Sequence, residues 1–149
     1  MATFLAELDG KLLINERMKL SAFGLACICW GVDNLFVVDP GHALDGWQPH
    51  ERSLCVTAFP SIAAAVEVHD GPVVLLEPRL PGIALPDYTH PRGALYVFGR
   101  DRGAGLRACV AGVRSRDVTV VYIPSPRDCY GFMAATIVAW DRYAKRALS

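Results

Sequence analysis

Short apolar runs alternate along the chain with polar stretches punctuated by glycine and proline, and run length separates strand from helix. Residues 4–8 and 12–14 are brief apolar runs, and one of them is expected to be the first strand. Residues 16–30, ERMKLSAFGLACICW, read as a helix that turns apolar on all sides after Leu20, which suits a core or a subunit interface. Gly31 stands where a helix C-cap is expected. A second strand at 35–38 is closed by Asp39-Pro40-Gly41, and 41–53 read as a polar loop. A third strand is expected at 54–58. Ser61 is placed to cap a short helix over 62–69, which Gly71-Pro72 breaks. Residues 73–76, VVLL, form a continuous apolar run, as a parallel strand buried on both faces requires. Residues 77–92 contain Pro78, Pro81, Pro86 and Pro91 and read as loop with one turn of helix at most. Further strands are expected at 94–98 and 118–123, a short helix at 106–113 and a terminal helix at 132–148.

This alternation predicts an α/β fold, a mainly parallel six-stranded sheet with helices on both faces, in a single domain spanning 1–149. The composition agrees, since 52% hydrophobic and 20% charged residues exclude a disordered chain. No apolar run reaches the roughly 18–20 residues that span a bilayer, and the first residues lack a basic leader, so a cytoplasmic protein is expected. Five cysteines without a C-x-x-C pair read as buried free thiols. The four histidines are scattered, so no metal site is expected. The zero net charge hides a division. Residues 1–78 hold four Lys and Arg against ten Asp and Glu, and residues 79–149 hold eleven against five. Such a split gives either one basic face for phosphate or an ordinary solvated surface.

In open α/β sheets ligands bind beyond the carboxyl ends of the strands. Three such ends carry loop chemistry here: Leu76-Glu77-Pro78, the glycine- and arginine-rich run from Phe98 to Leu106, and Ile123-Pro124-Ser125. The middle loop matches neither G-x-G-x-x-G nor a Walker A sequence.

Taken in order, GVDNLFVVDPG, VTAFPSIAAAVE, VVLLEP, ALYVFGRDRGAGL, VTVVYIP and FMAATIVAWDRY resemble the SPOUT methyltransferases of the TrmH/SpoU branch. The resemblance covers about residues 12–145. It implies a C-terminal trefoil knot, a homodimer built on the first and last helices, S-adenosylmethionine (SAM) as cofactor, and RNA as substrate. The implied reaction is ribose 2′-O-methylation, with tRNA favoured over rRNA and no metal required. The knot loops would hold the cofactor at Leu76, Glu77, Phe98, Gly99, Ile123, Cys129, Tyr130 and Met133. Arg100, Arg102 and Arg107 would grip RNA, within a wider set of arginines that includes Arg79, Arg92, Arg114, Arg116 and Arg127.

The chain departs from the family pattern where side chains do the chemistry. Leu25 stands in the place of the family's reactive arginine and Lys19 in that of its asparagine. Asp101 replaces a glutamate, and the S-L-N stretch is absent, Asp128-Cys129-Tyr130 lying nearest. Arg17, Arg127 and Asp101 are the candidate catalytic residues. The alternative is an inactive SPOUT-fold dimer that binds SAM or RNA without transferring methyl.

Overall fold

The computed structural model describes residues 1–78, 81–100, 105–111 and 117–148. Strand β1 (Thr3–Glu7) takes the first apolar run, whose Phe4, Leu5 and Ala6 are fully buried. The competing run instead opens helix α1 (Leu13–Cys29), where Leu12 and Ile14 lie exposed. Val32 N–H then reaches back to the Cys27 carbonyl, and Gly31 makes the turn at φ +69°, a conformation that costs glycine little.

Strands β2 (Asn34–Val38) and β3 (Cys55–Phe59) follow, with helix α2 (Ile62–Val68) after them. The Ser61 hydroxyl accepts the Ala64 N–H at 3.1 Å and so caps α2, as the sequence predicts. Next come β4 (Val73–Leu76), β5 (Ile83–Ala84), a 3-10 turn (Leu85–Asp87), β6 (Leu95–Phe98), helix α3 (Leu106–Val110), β7 (Val118–Tyr122) and helix α4 (Gly131–Ala147). The sheet order is β3-β2-β1-β6-β4-β7-β5, and every pairing is parallel.

Among the described residues the sheet therefore has seven strands rather than the expected six. The extra one is β5, two residues between Pro81 and Pro86 that pair with Val121 and Tyr122. The proline-rich stretch hides it, because so short a strand leaves no periodicity to read.

The helices cover both faces, and side-chain alternation along the central strands shows how. Phe4, Tyr96, Phe98 and Val121 point to the face covered by α1 and α4. Leu5, Leu75, Val97 and Val120 point to the face covered by α2 and α3. Phe4 meets the Tyr96 and Phe98 rings at centroid distances of 5.5 and 5.0 Å. Helices α1 and α4 pack directly on one another. Not all of α1 is covered: Ile14, Met18 and Leu25 face outward.

The expectation of five buried thiols holds for Cys27 alone, whose burial pushes its pKa up to about 12. Cys29 ends α1 and Cys55 lies on the edge strand β3, so both are exposed, while Cys109 and Cys129 are half-buried. Among the described residues no helix is long and apolar enough to cross a membrane.

Candidate functional site

Because β4 lies between β6 and β7, the carboxyl ends of three strands distant in sequence come side by side. The segments leaving them enclose a cleft of about 370 Å³, within the range of small-molecule sites. Leu76, Glu77, Phe98, Gly99, Ile123 and Cys129 line it, as does Arg100. Tyr130 and Met133 do not; both are exposed near the start of α4, and the Tyr130 ring stacks on Phe132.

The walls are mostly backbone and apolar side chains, with two carboxylates. Glu77 ends β4, and its Oε1 accepts the Leu106 N–H at 2.5 Å, tying the first turn of α3 to the sheet. Its own N–H is held by the Val121 carbonyl at 3.0 Å. Asp128 lines the opposite side, in the loop where Ser125 turns back and donates to the Arg127 carbonyl at 2.6 Å. Arg100 stands at the rim, and its backbone N–H donates to Glu7 Oε1 at 3.1 Å.

Two glycines set how tightly the walls meet. A Cβ on Gly131 would lie 3.2 Å from the Gly99 carbonyl oxygen and 3.3 Å from the Phe23 ring. The start of α4 therefore sits so close against the end of β6 that a side chain there would have to push its neighbours aside. Sequence reasoning placed Pro78, Gly105, Leu106 and Ser125 in the loops at the strand ends and Asp128 nearest the missing S-L-N stretch without assigning them to the cofactor, and it gave Gly131 and Ala134 no part in the site; all of these line the cleft. The signal available was the run of small residues at 131, 134 and 135, which lets a helix approach a strand closely.

The remaining candidates lie elsewhere. Arg17 is occupied by the loop after β2, its Nε donating to the Ala43 carbonyl at 3.4 Å and its Nη2 to that of Asp45 at 2.5 Å. Asp39 holds the same loop through the N–H groups of Ala43 and Leu44, and Trp47 Nε1 donates to Ser21 Oγ on α1. Arg127 is exposed beside the cleft without lining it, and Arg107 is exposed on α3. Arg79, Asp101, Arg102, Arg114 and Arg116 lie outside the described residues. Leu25 is 42% exposed.

Lys19 pairs with Asp9 at 3.6 Å. Burial raises the Glu16 carboxyl, and the hydrogen bond between Glu16 and Asp9, together with Lys19, lowers Asp9. Among the described residues no three His, Cys, Asp or Glu side chains are grouped to hold a metal.

No protein-family model matches the chain, and no curated protein matches it in sequence. Solved structures do match. The TrmH/SpoU tRNA-modifying enzyme of A. aeolicus superposes with a TM-score of 0.72 at 10% identity, over 99% of this chain and 75% of that one. The SpoU methyltransferase AviRb of Streptomyces viridochromogenes, solved with AdoMet, gives 0.68 at 14% identity, over 99% of this chain and 60% of that one. A TrmH-family protein of Porphyromonas gingivalis gives 0.67 at 16% identity, over 97% and 59%. The chain thus spans about 60% of the length of the last two. At these identities the likeness is one of architecture: the chain has the fold of the TrmH/SpoU branch of the SPOUT methyltransferases.

Proposed function

We propose that the protein is a SAM-dependent RNA methyltransferase, with a ribose 2′-hydroxyl as acceptor and tRNA as the RNA. The observation that carries this reading is the cleft at the ends of β4, β6 and β7, which gathers six of the eight residues expected to hold the cofactor. Its residues fit the cofactor by their chemistry. Leu76, Phe98, Ile123 and Leu106 supply apolar walls for a purine, while backbone groups at Gly99 and Gly105 and the Glu77 carboxylate supply polar partners. SAM brings a sulfonium methyl whose departure needs no acid. The chain's part is to exclude water from the cleft and to hold the acceptor oxygen in line, which supplies much of the rate. Arg100 at the rim and Arg107 on α3 are placed for RNA phosphates, where arginine pairs bidentately.

In the same reading the protein is a single-domain, knotted, cytoplasmic homodimer. The outer faces of α1 and α4 support the dimer. Ile14, Met18 and Leu25 on one helix and Met133, Trp140 and Tyr143 on the other are exposed, and Trp30 meets Trp140 edge-on at 6.3 Å. Exposed apolar side chains gathered on two packed helices are what an interface would cover.

A second reading, a dimer that binds SAM or RNA without catalysis, is favoured by one observation: Leu25 occupies the reactive arginine's position, and Arg17 is committed to carbonyls of the loop after β2. Two measurements separate the readings. Calorimetric titration of SAM and of S-adenosylhomocysteine should show binding, and absence of both at millimolar concentration defeats either SAM-based reading. Tritiated methyl should then pass from SAM into a cellular tRNA pool and make the modified linkage resist alkali. Binding without transfer supports the inactive dimer.

A further inference from the structure

One side chain of the cleft has more bonding capacity than its structural role uses. Glu77 is anchored twice. Its N–H is held by the Val121 carbonyl at 3.0 Å, and its Oε1 accepts the Leu106 N–H at 2.5 Å. Both anchors are backbone groups, so the carboxylate is fixed in place before any ligand arrives. Glu77 makes no other hydrogen bond or ion pair among the described residues, which leaves both lone pairs of Oε2 open. The side chain is half-buried and lines the cleft. A Cβ on Gly105 would touch Oε1 at 3.7 Å, so the glycine leaves the approach to the carboxylate open.

A ligand that fills the cleft strips water from Oε2 and must bring donors of its own, because a desolvated carboxylate without them is costly. SAM carries donors on its purine amine, its ribose hydroxyls and its ammonium group. The ammonium stands beside the ligand's own carboxylate. Placed at Glu77, that end would set like charges together; placed at the rim, it meets Arg100, whose guanidinium pairs bidentately with a carboxylate. The purine belongs against the apolar walls, and Glu77 is set among them: Leu76 precedes it and Leu106 is its hydrogen-bond partner. The ribose is bonded directly to the purine. Its two vicinal hydroxyls match the two open lone pairs of Oε2. An acidic side chain beyond a strand end that accepts ribose hydroxyls is also how other α/β sheets hold nucleosides.

We propose that Glu77 holds the ribose of a bound nucleoside, Oε2 accepting the 2′- and 3′-hydroxyls while Oε1 keeps α3 against the sheet, and so makes the cleft selective for ribonucleosides over their deoxy forms. The inference deepens the function proposed above, on which it rests in taking that nucleoside to be part of SAM.

Calorimetric titration of S-adenosylhomocysteine and of its 2′-deoxy and 3′-deoxy forms tests this on the unaltered protein. Both deoxy forms should bind about tenfold more weakly than the parent, the loss that follows when a hydroxyl bonded to a charged acceptor is removed. Equal affinity for the parent and the deoxy forms overturns the proposal. Glu77→Ala then shows whether the penalty belongs to this side chain. Loss of the Leu106 anchor weakens parent and deoxy ligands alike, so the ratio of their affinities isolates the contact with the hydroxyls. In the variant that ratio should fall to within about twofold of unity. An undiminished ratio gives the hydroxyls to other groups and overturns the proposal. Adenosine and its deoxy forms, followed by shifts of the cleft N–H groups in 15N-labelled protein, separate this inference from the methyltransferase reading. Adenosine bound with the same dependence on its hydroxyls, beside a failure of SAM and S-adenosylhomocysteine to bind, defeats the methyltransferase reading and keeps the role of Glu77. SAM bound without any deoxy penalty keeps that reading and defeats the role of Glu77. No saturable binding of any of these nucleosides overturns both.

Discussion

The cleft at the ends of β4, β6 and β7 and the surface of α1 are both regions where the family resemblance places function, and they are built from different material. The cleft keeps its shape through strand order, backbone and two close glycine contacts, which few side-chain changes can disturb. On the α1 surface the resemblance rests on single side chains, Leu25 and Lys19 standing where it expects an arginine and an asparagine, and Lys19 pairs with Asp9. A site made of backbone survives drift in sequence; a site made of two side chains does not.

The strongest way to break the cleft is to crowd it. Gly131→Val drives a branched side chain against the Gly99 carbonyl and the Phe23 ring, and overpacking costs about 1–3 kcal/mol. SAM affinity measured by calorimetry should fall by up to about 100-fold, with circular dichroism confirming that the chain is folded.

Trp140→Glu attacks the side-chain half from outside. A central aromatic anchor contributes about 2 kcal/mol or more to an interface, so sedimentation should show a dimer weakened by at least about 30-fold. Glu77→Ala probes the one side chain on which the cleft leans. It leaves the Leu106 N–H without its acceptor, and loss of a hydrogen bond to a charged group costs about 1.5–3 kcal/mol. SAM binding should weaken by about tenfold or more, and Lys19→Ala should not weaken it.

Leu25→Arg sharpens the comparison by restoring the missing cation at a half-exposed position. Stability should stay within about 0.5 kcal/mol and SAM affinity should not change, while methyl transfer to tRNA rises. No rise would show that position 25 is not the missing element.

The smallest effect concerns pH and lies away from both regions. Burial, outweighing Asp141, lowers the His90 pKa below its usual 6.5. The unfolded chain therefore binds this proton more readily than the folded one. Stability is full above about pH 6.5 and declines as pH falls through the window below it. His90→Gln should flatten that decline in thermal melts between pH 7 and 5.

What was legible in the sequence follows the same division. Val73–Leu76 was readable to the residue, because a continuous apolar run between a Gly-Pro break and a Glu-Pro exit leaves one assignment. Ser61 announced α2 by its side chain. Strand β5 was invisible because two residues carry no period. Of the six cofactor candidates that line the cleft, five stand at or just after strand ends, and it is the family resemblance that names all six, Cys129 included. Gly131 and Ala134 could not be placed, because their part depends on where α4 lands after the chain has folded. Arg17 looked available as a spare cation, and nothing local in the sequence shows that carbonyls at 43 and 45, brought back by the turn after β2, already occupy it.

The strand order also governs how the molecule is made. Strand β1 pairs on one side with β2, which soon follows it, and on the other with β6, Thr3 lying beside Leu95. Strand β4 has neither neighbour when it leaves the ribosome, since β6 and β7 are both synthesised after it. The apolar run 73–76 must therefore wait in the nascent chain, without partners, for the middle of the sheet to close. Pairings so distant in sequence close slowly, and until β7 emerges this segment is the one most in need of shelter by a chaperone.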